Sequence, residues 1–303
     1  MDGILPLWKE RGMTSHDCVF KVRKILKMKK VGHTGTLDPN VDGVLPICLG
    51  KGTKLVELLM DKTKVYTGEI TLGFATTTED LDGEVVAEES LAHPFEDDYI
   101  QAFMQELTGH IVQIPPMYSA IKVKGKRLYE YAREGLEVER PEHPVFVHEF
   151  KLMGPSRFED NKQVFAFEVV CGKGTYVRTL ASDLGRKLGV PATMTSLTRE
   201  GSTPFSREDC LTLSQLAEAV EAEDYNWLVP VESTLSAYPV WQVPAEDNHL
   251  VKLVENGSVL ELATLPADLR DQLPVTAYID DKLKALYDVH PSKDGKIKPS
   301  KMF

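Results

Sequence analysis

The chain has 303 residues, the composition of an ordinary globular protein and a formal net charge of −11. This length allows one sizeable core with a small second domain, and the net charge excludes a generic, uniformly basic nucleic-acid binder. No run approaches the ~18 continuous apolar residues of a membrane span. The start, MDGILPLWKERG, is not a signal peptide, because Pro6, Lys9 and Glu10 break its short apolar run. A cytoplasmic protein without membrane contact is expected.

The charge is unevenly spread. Residues 1–66 carry 12 Lys/Arg and 7 Asp/Glu, whereas 67–110 carry 11 Asp/Glu and no Lys or Arg. A polyanion would meet a local basic face, although segregation of this kind also arises on solvated surfaces. The cysteines, Cys18, Cys48, Cys171 and Cys210, form no CxxC pair, so they give a zinc site no spacing support and read as reduced, buried thiols.

Residues 3–8 are apolar enough for a strand. Thr14 or Ser15 can cap a helix running to about Lys27, with Val19, Val22, Ile25 and Leu26 as its apolar stripe. Lys21, Arg23, Lys24, Lys27, Lys29 and Lys30 form a basic surface that is either a solvated face or a phosphate contact. Val31–Gly50, VGHTGTLDPNVDGVLPICLG, reads as an ordered loop running into a buried strand at 44–49. Glycines allow its tight turns, and Pro39 biases Asp38 towards an extended conformation. Such a loop holds one carboxylate in a defined place, suited to a nucleophile, a general base or a metal ligand; the same string also reads as a plain turn. It is not a phosphate loop, because Gly52 follows Gly50-Lys51 where Ser or Thr is needed.

Thr53–Met60 looks helical, and Lys64–Phe74 alternates as a strand with Tyr66 near its start, either a core aromatic or a stacking face. Thr76–Gly83, TTTEDLDG, is an acidic turn, and 97–108 is a short acidic helix. From Gln113 to Arg140 basic and aromatic residues interleave: Tyr118, Lys122, Lys124, Lys126, Arg127, Tyr129, Tyr131 and Arg133. The pattern suits a surface that tracks a nucleic-acid backbone, and equally a short amphipathic helix at Leu128–Arg133. Val145–Met153 and Gln163–Cys171 look like paired strands, followed by a glycine-rich turn and a helix over about Tyr176–Leu188. Arg178 falls in its first turn, where the helix dipole disfavours a cation. The placement makes sense if Arg178 holds an anion such as Asp38; the alternative is a surface pair with Asp183 or Glu168. Ser214–Val220 reads as a helix, 222–240 as a link, and the tail as strand pieces near 241–243, 258–260, 275–279 and 284–289.

The string GHTGTLDPNVDGVLPICLG resembles the signature of the bacterial TruB family of tRNA pseudouridine synthases. KVYTGEITLG (64–73), QIPPMYSAIKVKGKRLYEYAREG (113–135) and CGKGTYVRTLASDLG (171–185) follow in the family's order. The resemblance implies an α+β pseudouridine synthase fold: a central mixed, mostly antiparallel sheet flanked by helices in residues 1–236, with an RNA-gripping insertion at about 113–143. That insertion is expected to order on RNA. A small β-rich, PUA-like RNA-binding domain is implied at 240–303. The resemblance makes Asp38 catalytic. It assigns Tyr66, Arg178, Tyr176, Leu197, His33, Lys9 and Asp80 to substrate binding. Tyr66 would stack on the base, Arg178 hold Asp38, Leu197 and Tyr176 close the pocket, and His33 either order the loop or fill the space left by a flipped base. The chain departs from the family at Glu10, where Pro is common, and at Thr198, where a second basic residue often stands beside Arg199.

The implied reaction breaks the N1–C1′ bond of uridine 55 in the T loop of tRNA, turns the base and rejoins it through C5 after base flipping. No redox step occurs, so neither a cofactor nor a metal is expected. A monomer acting on the T-arm is the expected assembly. Two other readings fit parts of the sequence. One is a non-catalytic tRNA-binding folding helper. The other is a glycoside-type hydrolase, which needs a second catalytic carboxylate, Asp42 or Asp80.

Overall fold

The computed structural model describes residues 1–303. The chain opens with β1 (Gly3–Lys9) and turns into α1 (Ser15–Leu26). Thr14 caps this helix: its hydroxyl accepts from the Asp17 N–H while the Asp17 carboxylate accepts from the Thr14 N–H. β2 (Val31–His33), β3 (Asp42–Leu49), α2 (Val56–Met60) and β4 (Lys64–Leu72) follow. Next come a hairpin of β5 (Phe74–Thr76) and β6 (Val85–Glu88), then α3 (Asp97–Glu106) and β7 (Gly109–Gln113). A second hairpin, β8 (Lys122–Val123) and β9 (Lys126–Arg127), runs into α4 (Leu128–Arg133). The chain continues through β10 (His143–Leu152), β11 (Arg157–Glu159), β12 (Lys162–Cys171), α5 (Val177–Leu188), β13 (Ala192–Ser202), β14 (Phe205–Ser206) and α6 (Leu213–Glu221).

Apart from the two hairpins, β5–β6 and β8–β9, these strands form one ten-stranded sheet ordered β1-β3-β13-β4-β12-β10-β7, with β2, β14 and β11 paired at its flanks. Every pairing is antiparallel except that of β13 with β3. The fold is therefore the mixed, mostly antiparallel sheet with flanking helices that the sequence implies. β12 shows the governing alternation: Phe165, Phe167, Val169 and Cys171 point into the main core, and the residues between them do not. Helices α1, α3, α5 and α6 supply Val19, Val22, Ile100, Met104, Leu180, Leu184 and Leu216 to that core. At one end the other sheet face is also covered. Ile4, Val44 and Cys48 pack with Leu55, Val231, Leu235 and Leu283. Two buried faces explain why β1 and β3 read as unbroken apolar runs.

The C-terminal part begins with β15 (Val240–Gln242) and α7 (Asn248–Glu255). β16 (Leu260–Glu261), β17 (Val275–Ile279), β18 (Lys282–Val289) and β19 (Lys296–Met302) complete a five-stranded sheet ordered β15-β17-β18-β19-β16. It has its own core around Trp241, Val254, Ala277, Tyr287 and Ile297. Two elements here escape sequence reading, α7 and β19. The expected link at 222–240 is more than a connector: Val229 exchanges backbone hydrogen bonds with Ile4, and Val231 and Leu235 are buried.

Candidate active site

Asp38 sits on the loop between β2 and β3, and that loop is pinned along its length. Leu37 and Val41 are buried on either side of the carboxylate. The Ser15 hydroxyl accepts from the Leu37 N–H at 2.9 Å, and the Gly12 N–H donates to Pro39 O at 2.9 Å. Lys9 is wholly buried beneath the loop, and its ammonium donates to Val41 O (2.7 Å) and Pro39 O (3.1 Å). The geometry gives this lysine a loop-holding role; expected to bind substrate, it does not reach the surface. Burial pushes its pKa down, partly offset by the charges of Cys18, Asp42 and Asp38. The Asp38 side chain itself remains 46 % exposed, so the pinned loop offers a carboxylate to the outside.

Arg178 meets it from α5. Its Nη1 lies 3.0 Å from Asp80 Oδ2 and 3.5 Å from Asp38 Oδ2, and its Nη2 donates to Tyr118 O at 2.7 Å. Burial opposes the charge on Arg178, but Asp38 and Asp80 together hold its pKa above the ordinary value. The anion that justifies a cation in the first turn of a helix is thus a pair of carboxylates, and Asp80 is the nearer. The surface alternatives are occupied otherwise: Asp183 pairs with Arg186 and Glu168 with Lys151. Asp80 is nearly buried, with its other oxygen accepting from Thr78 and from the Asp82 N–H. Glu79, one residue earlier, has a positive φ of 67° and accepts from the Thr179 hydroxyl at 2.6 Å, so adjacent turn residues cross-link to adjacent residues of α5.

Tyr66 on β4 and Leu197 on β13 lie in the paired strands beside this cluster, with Leu197 opposite Gly68. Burial raises the Tyr66 pKa, and the charge of Asp38 raises it further. Tyr176 caps α5 and is clamped by Gln113, which accepts from its N–H (2.9 Å) and donates to its C=O (3.1 Å). Burial pushes its phenol up as well, and it too senses Asp38. His33 is half-buried against His16, with ring centroids 5.4 Å apart, and its Nδ1 is buried with no partner. Burial and the neighbouring histidine push its pKa down. The structure therefore pairs Arg178 with both Asp38 and Asp80, and the phenols of Tyr66 and Tyr176 feel the charge of Asp38.

Two further features frame the cluster. The basic residues of α1 and the turn after it are exposed: Lys21, Arg23, Lys24, Lys27, Lys29 and Lys30. In the insertion at about 113–143, Arg127 and Arg133 lie over the Tyr129 ring (5.8 and 5.3 Å) and Lys126 lies over Tyr131 (5.0 Å). Cations and rings are thus presented together, as stacking surfaces for single-stranded nucleic acid are built. Asp42, a candidate second carboxylate, is engaged by Thr198 (2.7 Å) and Arg11 (3.4 Å). Asp80 is bound to Arg178, so both carboxylates that a hydrolase reading could call on are already paired.

Sequence reasoning missed Arg199, Gln113 and Glu79. Arg199, noted only as the basic residue beside Thr198, is 1 % exposed and donates to Val44 O at 2.7 Å. Its inward placement follows from Leu197 two residues earlier, since the register with β4 runs unbroken from Leu197 to Arg199 and the bulges fall outside that step, at Met194/Ser196 and Arg199/Gly201.

No helix is long and apolar enough to cross a membrane. Residues 23–177 match the family described as TruB family pseudouridylate synthase (N terminal domain), and 178–236 match the tRNA pseudouridylate synthase B C-terminal domain. A tRNA pseudouridine synthase B of Bacillus pumilus is 49 % identical over 304 residues, covering 100 % of this chain and 97 % of that protein. One of Ligilactobacillus salivarius is 51 % identical, covering 97 % and 96 %. Among solved structures, a chain of a Cbf5-Nop10-Gar1 complex superposes with a TM-score of 0.71 at 27 % identity, covering 99 % of this chain and 84 % of that one. A pinned acidic loop, a buried arginine and a full-length likeness to these enzymes lead to one assignment: the chain belongs to the TruB family of bacterial tRNA pseudouridine synthases and is an isomerase.

Proposed function

We propose that the chain converts uridine 55 in the T loop of tRNA to pseudouridine, with Asp38 as the catalytic carboxylate. The observation that carries this reading is the 46 % exposed carboxylate of Asp38, set 3.5 Å from the otherwise buried Arg178 on a loop fixed from both sides. The target base leaves the loop of the tRNA and stacks on Tyr66, with Leu197 and Tyr176 closing the pocket. Asp38 then attacks C1′ or takes the C2′ proton. The N1–C1′ bond breaks, the base turns and C5 bonds to C1′, with the Asp38–C1′ ester breaking on the first route and the C2′ proton returning on the second; the C5 proton leaves to solvent while N1 gains one. Electrons balance within the uridine, so the step is an isomerisation. Arg178 keeps the Asp38 carboxylate aimed, and His33 fills the vacated stack. The basic face of α1 and the excursion at about 113–143 hold the T-arm through phosphate and ring contacts. In this reading residues 1–236 form the catalytic unit and 240–303 an RNA-binding appendage of a monomeric, cytoplasmic enzyme.

Tritium release from tRNA carrying [5-3H]uridine tests it. Wild-type chain releases tritium; Asp38→Asn binds the same tRNA with no release. Binding without release from the wild type would instead mark a tRNA-folding helper, and free uracil would mark a hydrolase. A deuterium isotope effect at C2′ separates proton abstraction from direct attack.

A further inference from the structure

Arg199 takes no part in the steps above, yet it is placed among the residues that do. One row across the sheet runs from Lys9 on β1 to Gly43 on β3, from Gly43 to Arg199 on β13, and from Arg199 to Tyr66 on β4. Gly43 has φ +128°, and a Cβ there would collide with the backbone of Arg199. The missing side chain lets β13 close on β3 and carries the guanidinium towards the Asp38 loop. There Nε donates to Val44 O at 2.7 Å and Nη2 reaches Gly35 O at 3.4 Å.

The guanidinium is met by carbonyls, not by a carboxylate. Burying a cation without a counter-charge is expensive, and an apolar side chain of similar size would fill the same space more favourably. A cation kept at 1 % exposure is therefore kept for its charge or its forked donors. Arg199 stands directly across the β13–β4 pair from Tyr66, so the two side chains share one face of the sheet. Burial pushes the Tyr66 phenol up, and the charge of Arg199 draws it back down. Lys9 and His33 feel the same positive charge.

We propose that Arg199 is a positioning residue for the isomerisation, a cross-link that ties Tyr66, its neighbour across the β13–β4 pair, to Gly35 on the loop carrying Asp38 and to Val44 on β3. The ring that receives the base and the carboxylate that acts on the sugar are thereby set at one separation. This rests on the roles given to Tyr66 and Asp38 above. The parent reading is checked first: a fully active Asp38→Asn would end it whatever Arg199 does.

Arg199→Lys and Arg199→Met are then compared with wild type, with and without Tyr66→Phe, under single-turnover conditions. The expected result for Arg199→Lys is a rate lower by about tenfold or more, with tRNA affinity within about twofold. If Arg199 acts through the phenol, the same change in the Tyr66→Phe background lowers the rate by less than about threefold. A role confined to the loop carbonyls predicts the full loss in both backgrounds, and that result overturns the proposal. Should an Arg199 variant fail to fold, or the Tyr66→Phe rate fall below detection, exchange at the 15N-labelled Arg199 Nε decides. Faster exchange of the guanidinium protons in Tyr66→Phe supports the cross-link, and unchanged exchange overturns it.

Discussion

Asp80→Asn separates the positioning of the cluster from its chemistry. Asp80 lies 3.0 Å from Arg178, whose side chain is 10 % exposed, and its own side chain is 13 % exposed. At an effective dielectric of about 20 the gross attraction at this distance is about 5 kcal/mol, much of it offset by desolvation of both partners. Asparagine keeps one acceptor oxygen for Arg178 but removes the charge. The net loss of stability is therefore about 2–3 kcal/mol, below the 3–5 kcal/mol typical of a buried ion left without a partner. Asp38, already 3.5 Å from the same Nη1, becomes the only carboxylate on Arg178. The guanidinium then moves towards it and the carboxylate turns from its aim. A displacement of about 1 Å at a reacting group lowers a rate by about 100-fold. The expected outcome is a kcat lower by between about 10-fold and 100-fold, with tRNA affinity unchanged because Asp80 is buried. Tritium release gives the rate, filter binding the affinity and urea unfolding the stability. Wild-type kcat in a folded Asp80→Asn would refute the idea that two carboxylates place Arg178.

Lys9→Met leaves the Pro39 and Val41 carbonyls without their donor, so a loss of about 1–3 kcal/mol in urea unfolding is expected, with reduced kcat and unchanged tRNA affinity. A variant that only weakens affinity would mean that Lys9 reaches the RNA. Tyr66→Phe retains tRNA affinity better than Tyr66→Ala, read by filter binding; equal affinities would argue against base stacking. Burial raises the Glu79 pKa, so the folded chain favours the protonated form more than the unfolded chain does. The folded state then binds more protons between the ordinary carboxylate pKa and the raised one, and stability falls as pH rises through that window. Glu79→Gln keeps an acceptor for Thr179 and is expected to raise the melting temperature at pH 7, with the gain shrinking as pH falls towards 4; a pH-independent gain contradicts this assignment.

Much of the first part of the fold was legible because its signals are local. Thr14 and Asp17 cap α1 through neighbouring atoms, and β12 alternates over ten residues. The tail was harder to read. β19 contains Pro299 and three lysines, KIKPSKM, which argue against a paired strand. It is held instead by neighbours on both sides, β18 and β16, a tertiary effect that no local pattern reports. α7 is eight residues long and depends on the Asp247 cap, whose carboxylate accepts from the His249 and Leu250 N–H groups.

The candidate site divides in the same way. Asp38, Tyr66 and Arg178 could be named because their blocks have a recognisable order along the chain. The partners that place them could not. Asp80 read as a substrate-binding residue, and its pairing with Arg178 had no signal in the sequence. Lys9 read as a substrate contact and Arg199 was given no role, whereas both are buried and hold backbone carbonyls. For the two cations the type of side chain suggested solvent and phosphate, whereas their places on β1 and β13 turn them inward.

A structure of the chain with a T-arm hairpin bearing 5-fluorouridine at position 55 examines the pocket itself. The proposed function predicts a base swung out of the loop, its face on the Tyr66 ring, with C1′ or C2′ within about 3.5 Å of an Asp38 carboxylate oxygen. A base still stacked inside the RNA loop of a bound hairpin, with the Asp38 carboxylate turned to solvent away from Arg178, would contradict it.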